Sequence, residues 1–179
     1  MSENAANTRG LPGEVVALPD GRELDHCIQC GMCTASCPVA ELVPGYSPRQ
    51  LVARALLGLE DVLASDDIWL CARCQECVAV CRKNIRPGDI ITALRILALQ
   101  RGHKQSAGAK HTLAFLASIQ KKGKLNEATL PLRTLGLGGT MKLVPYAMRM
   151  MGRGKLPPMV VKPIEGLDEV RALVEEYKR

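Results

Sequence analysis

Eight cysteines stand in this chain of 179 residues, in two blocks with identical internal spacing. Cys27, Cys30, Cys33 and Cys37 form the first block, and Cys71, Cys74, Cys77 and Cys81 the second. Each reads C-x2-C-x2-C-x3-C, and every member of the second lies 44 positions after its counterpart. Residues Met1 to Gly10 are polar and lack the apolar stretch that directs export. Without export, tight cysteine clusters suit a metal site in a reducing compartment better than a disulfide framework, and a cytoplasmic location is expected.

The spacing selects the kind of metal site. A [4Fe-4S] cube has four irons, each needing one thiolate. A short loop with three cysteines at spacing three can wrap three corners, and a more distant residue must reach the fourth. The same run occurs in bacterial two-cluster ferredoxins, where the fourth cysteine of each block ligates the other cluster. The expected assignment gives cluster one Cys27, Cys30, Cys33 and Cys81, and cluster two Cys71, Cys74, Cys77 and Cys37. Crossing of this kind makes cluster assembly a folding event as well. The rival is a zinc-stabilised interaction module, since eight thiolates could hold two zinc ions. Zinc has little use for a third cysteine three residues after the second, which here occurs twice. One departure from the ferredoxin run follows Cys81: Pro38 follows Cys37, but Arg82 follows Cys81. A looser turn is expected there. Arg82, with Lys83, Arg86 and Arg73, either brings positive charge to an anionic cluster or forms a solvated basic face.

Aromatic residues make up only 3% of the chain against 47% hydrophobic residues overall, so the core must be aliphatic, which favours packed helices over a sandwich of strands. Ser47, Pro48 and Gln50 mark a helix start, and Leu51, Val52, Ala55, Leu56 and Leu59 follow at helical spacing. A short helix is expected from Asp61 to Ser65. Pro87 and Asp89 open another helix, with Ile90, Ile91, Leu94, Leu97 and Ala98 on one side. A further helix from about Ser106 to Lys122 would face Leu113, Leu116 and Ala117 inward, and a last one from Leu167 to Tyr177 carries Val170, Leu173 and Val174 on one face. The helical spacer between the blocks points away from the compact βαβ ferredoxins. It points to an all-α architecture: an α-helical ferredoxin domain with two [4Fe-4S] binding loops and a long irregular C-terminal extension. The expected divisions are a flexible N-terminal arm over 1–22, the ferredoxin domain over 23–122, and a partner-binding extension over 123–179 that ends in a helix.

Charge divides unevenly, with a net of −6 over residues 1–70 and +12 over 71–179. The basic residues are scattered and no aromatic residues alternate with them, so nucleic acid is not an expected partner. The longest stretch free of Asp, Glu, Lys and Arg, His26 to Ala40, is filled with cysteines and small polar residues, so no membrane span is expected. No Ser/His/Asp set, paired carboxylates or phosphate loop stands out, so no catalytic residue is assigned. His26, beside Cys27, reads as a surface residue or a neighbour of a ligand, because all four corners of each cube already have a thiolate; His103 and His111 read as surface residues.

Beyond spacing, the segments CIQCGMCTASCPV, CARCQECVAVC, DIITALR, GKLNE, LGLGG and GKLPP resemble the C-type, two-cluster iron–sulfur subunit of heterodisulfide reductase and its homologues in bacterial sulfur-oxidising complexes, over roughly residues 20–178. That resemblance implies the electron-transfer subunit of an oxidoreductase complex. A flavin-containing protein like the reductase's A-type subunit would supply electrons, and a CCG-domain protein like its B-type subunit would carry the chemistry. This chain has no CCG segment and no adjacent cysteine pair, so it should conduct without converting substrate. The cysteine runs alone are shared with iron–sulfur subunits of succinate- and glycolate-type oxidoreductases, which form the alternative reading.

Overall fold

The computed structural model describes residues 10–155 and 161–177. The first nine residues of the expected arm, and Pro157, Pro158 and Met159 of the expected extension, lie outside them. The chain forms two compact units, residues 1–104 and 105–179, so the boundary falls earlier than residue 122. Every regular element among the described residues is helical, and none is a strand.

The first unit is organised by helices α4 (Pro48–Leu56) and α7 (Pro87–Gln100), which pack together. The Ser47 hydroxyl accepts from the Gln50 N–H at 3.3 Å, and Pro48 occupies the first turn, where its missing donor costs nothing. Helix α4 buries Leu51, Val52 and Ala55, and α7 buries Ile90, Ile91, Ala93, Leu94, Leu97 and Ala98. Each large aliphatic side chain in this core contributes about 2 kcal/mol by leaving water.

The expected arm is corrected by what precedes the cysteines. Helix α1 (Gly10–Ala17) drives Leu11 and Val15 into the same core, at 1% and 0% exposure, and packs against α4 and α7. A 3-10 turn, Pro19–Gly21, brings Gly21 so close that a Cβ would sit 2.0 Å from the Val15 carbonyl oxygen. Only glycine fits there. The Arg101 guanidinium then joins Glu14 at 2.8 Å and also Glu60, clamping α1 to the end of α7. The segment Glu60–Ala64 is a 3-10 helix with Val62 and Leu63 buried. The short helices α2 (Met32–Ala35), α3 (Pro38–Leu42), α5 (Asp67–Leu70) and α6 (Glu76–Ala79) carry or adjoin the cysteines.

The second unit holds α8 (Ala107–Lys122), α9 (Leu130–Met141), α10 (Val144–Met151) and α11 (Leu167–Tyr177). The extension is thus largely helical where irregular chain was expected. Pro131 and Pro145 occupy the first turns of α9 and α10, where proline starts a helix instead of breaking one. Gly136, at φ 69°, kinks α9. Helix α8 packs α9 and α11 against a face whose buried members are Ala109, Ala114 and Ser118. These small side chains admit close neighbours, and Leu116 is exposed, contrary to its expected inward position. Leu173 of α11 is likewise exposed. Ser118 accepts from the Asn126 N–H at 2.9 Å and donates to the Lys124 carbonyl at 3.2 Å, fixing the chain after α8.

Candidate metal centre

The repeat in the sequence is a repeat of backbone geometry. Gln29 and Arg73, the residues before the second cysteine of each block, both sit at positive φ, 57° and 53°. So do Gly31 and Gln75, the residues after it, at 84° and 66°. One turn of helix follows each, α2 and α6, and both end at a residue with φ −94° and ψ −1°. The closing hydrogen bonds also match: the Cys37 N–H donates to the Thr34 carbonyl and the Cys81 N–H to the Val78 carbonyl, each at 3.2 Å. Positive φ at alternate positions folds each loop around its own sulfurs.

Helices α2 and α6 lie in contact, so the loops face each other and exchange their last cysteines. Cys27, Cys30, Cys33 and Cys81 line one cavity of about 400 Å³, part of it open to solvent. Cys37, Cys71, Cys74 and Cys77 line a second of about 350 Å³. Each cavity thus has four thiols in its lining, the number of donors that the four irons of a cube need.

Burial and then the Cys27 charge push the Cys33 thiol up. Burial also pushes Cys77 up, to about 11, with the Gly88 backbone hydrogen bond opposing it. Bound cations reverse this, because a coordinating thiol loses its proton outright. Gly88 keeps its backbone beside this sulfur, and a Cβ there would approach Cys77 Sγ to 3.6 Å. Tyr46, at 4% exposure, lines the second cavity, and its enclosed hydroxyl has no partner among the described residues. Burial raises its phenol, and charge on Cys71 and Cys37 pushes the same way. A buried hydroxyl donor in a cavity lined by four thiols suits an anionic group held there.

The surroundings of the cavities differ. Gln29 Nε2 donates to Cys27 Sγ at 3.2 Å, and Arg49 and Lys83 line the first cavity. Arg73, the counterpart of Gln29, turns away to Thr92 and to the buried carboxylate of Asp89, which Arg86 also engages. Arg73 and Arg86 thus share one carboxylate, and of the four basic residues singled out by the sequence only Lys83 and Arg73 border a cysteine-lined cavity. At the second loop, the Arg95 guanidinium donates to the carbonyls of Ile68 and Cys71, both at 2.7 Å, and lies over the Trp69 ring. Burial lowers its pKa, against the raising effect of Cys71. Pro38 starts α3 directly after Cys37, whereas Cys81 is followed by a tight turn closed by the Asn84 N–H on the Cys81 carbonyl at 3.2 Å. The ring of His26 faces solvent beside Asp25. Gln29, Tyr46, Arg49 and Arg95 are the neighbours that sequence reasoning missed.

Helices holding two four-cysteine cavities define the class, an α-helical ferredoxin of dicluster type. A family profile described as a 4Fe-4S dicluster domain matches residues 23–85. The chain is 32% identical, over 99% of its length and 87% of the relative's, to the iron–sulfur C 2 subunit of CoB–CoM heterodisulfide reductase from Methanocaldococcus jannaschii. It is 29% identical, over 90% of its length and 79% of the relative's, to the C subunit of the H2:CoB–CoM heterodisulfide, ferredoxin reductase of Methanothermobacter thermautotrophicus. It is 26% identical to the 8-methylmenaquinol:fumarate reductase iron–sulfur subunit of Wolinella succinogenes, covering 85% of this chain and 52% of that one. The chain belongs to the family of heterodisulfide reductase C subunits. No helix among the described residues is long and apolar enough to cross a membrane.

Proposed function

We propose that this chain is the electron-carrying subunit of a heterodisulfide-reductase-like complex, with one [4Fe-4S] cluster on Cys27, Cys30, Cys33 and Cys81 and another on Cys37, Cys71, Cys74 and Cys77. The observation that carries this reading is the grouping of the eight cysteines, by fours and across the repeats, around two cavities. Such clusters supply one-electron chemistry. The residues of this chain hold them, shield the buried sulfurs and bring the two sites side by side through the contact of α2 and α6.

The expected partners are a flavin-containing protein of the A type and a CCG-domain protein of the B type that performs the substrate chemistry. The tight cysteine spacing suits metal ligation in a reducing compartment, in keeping with a cytoplasmic complex. Residues 126–164 are read as lying along a partner. Leu137, Met141, Tyr146 and Met148 of α9 and α10 are exposed, at 78%, 70%, 63% and 62%. Adaptable methionine side chains suit such a contact. Likeness to a fumarate reductase iron–sulfur protein keeps a second reading in view, in which the chain serves another oxidoreductase.

Anaerobically purified protein is expected to be brown, to hold about eight irons in two cubes, and to give a paramagnetic signal on reduction. Colourless protein with two zincs overturns the reading. Affinity capture from the native source should return a CCG-domain protein and a flavoprotein. Deletion of residues 126–164 should release the partner on a sizing column and leave the iron in place; loss of iron overturns the docking role.

A further inference from the structure

We infer that the Tyr46 hydroxyl donates a hydrogen bond to the Cys71 sulfur of the second site and thereby raises that cluster's potential. The inference rests on the ligand reading above. Tyr46 occupies the turn before α4, held by its N–H to the Val43 carbonyl at 3.1 Å, and Ser47 caps the helix immediately after it. The ring is therefore positioned by a fixed helix start and sits in the aliphatic core. A tyrosine kept only for its apolar body would send its hydroxyl to solvent. Here the oxygen is sealed from solvent in the wall of the cavity that Cys37, Cys71, Cys74 and Cys77 share, without a well-formed hydrogen bond but close enough to the Cys71 thiol to feel it as a hydrogen-bond partner. Buried hydroxyls find partners, and Cys37 and Cys71 share the cavity wall with this ring. Arg95 commits Nε and Nη2 to the Ile68 and Cys71 carbonyls, which pins the Cys71 backbone and leaves the sulfur to Tyr46.

A donor to a ligating thiolate stabilises the reduced form, with its extra negative charge, more than the oxidised form. Removing it should lower the reduced-to-oxidised ratio of that cluster at fixed potential about tenfold, or 59 mV for a one-electron couple. The test uses the full chain purified under argon. Tyr46→Phe should keep its iron and lower one midpoint in an EPR-monitored titration while the other stays put. The midpoint that falls should be the one retained in Cys81→Ser. Replacing Tyr46 by 2,3-difluorotyrosine, a stronger donor of the same shape, should move the same midpoint upward. A purely structural role would shift both variants in the same direction. Unchanged midpoints, a shift in the other cluster, or two shifts of one sign overturn the proposal. If Tyr46→Phe loses iron, the fluorinated variant decides by the sign of its shift. Wild-type protein without iron overturns the ligand reading itself.

Discussion

The two cysteine loops share one backbone and differ in almost everything around it. Both turn at positive φ on either side of their second cysteine and run into a single helical turn. The first loop meets exposed surface charge, Arg49 and Lys83, and uses its own Gln29 to reach a sulfur. The second is braced from outside, by Arg95 on its carbonyl and Tyr46 against its cavity, while its own Arg73 is taken up by Asp89. Ligand geometry thus belongs to the repeat, whereas electrostatic environment belongs to the helices packed behind it. Duplicate loops can in this way carry sites of different potential.

The exchange of the fourth cysteine gives the largest expected effect. Cys81→Ser should destroy the site formed mainly by the first block, and Cys37→Ser the one formed mainly by the second, each lowering iron from about eight to about four. Iron analysis with EPR of the survivor reads this directly. Loss of each block's own site instead would mean that the loops do not cross.

Bracing comes next. Arg95→Met removes two charged hydrogen bonds and should destabilise the holo protein by about 3 kcal/mol, with faster loss of the second cluster. Arg49→Met, on an exposed side chain, should cost under about 0.5 kcal/mol while lowering the first cluster's potential. Thermal unfolding under argon, followed at the visible absorbance of each cluster, separates the two. Equal losses would erase the distinction between a braced loop and a free one. A smaller effect is expected from Gln29→Leu, which removes the donor to Cys27 and should lower the first midpoint by less than about 59 mV, leaving the second unmoved.

How much of this can be read from the chain depends on where the partners lie. Spacing makes the loops legible because each ligand run is local, and the crossing is expected from the ferredoxin run they share, while α4 and α7 are legible because caps and apolar periodicity coincide. Helix α1 is hidden by Gly10, Pro12 and Gly13, its helical character resting on Leu11 and Val15 meeting a core built from later residues. Pro145 reads as a breaker until its position in a first turn is known. Tyr46 carries no signal at all, because the Cys71 whose cavity it lines arrives from 25 positions downstream. Arg95 likewise looks like a solvent-facing helix residue until the Cys71 carbonyl is placed against it.

The finest difference between the loops lies in one matched position. Gly31 and Gln75 adopt the same left-handed conformation, but only glycine does so without a steric penalty. For a side chain the left-handed region costs about 1–2 kcal/mol, offset in part by the roughly 0.5–1 kcal/mol of extra chain entropy that glycine loses on folding. Gln75→Gly should therefore stabilise the holo protein by about 0.5–1 kcal/mol. Gly31→Gln should cost a similar amount, since its Cβ would meet Arg49 Cδ no closer than 3.7 Å and strain arises from φ alone. Denaturant midpoints measured anaerobically on the two variants and on the double swap test this. Opposite signs that cancel in the double variant are expected if the loops are equivalent in backbone, whereas a loss in both would show that Gln75 holds its loop by more than its conformation.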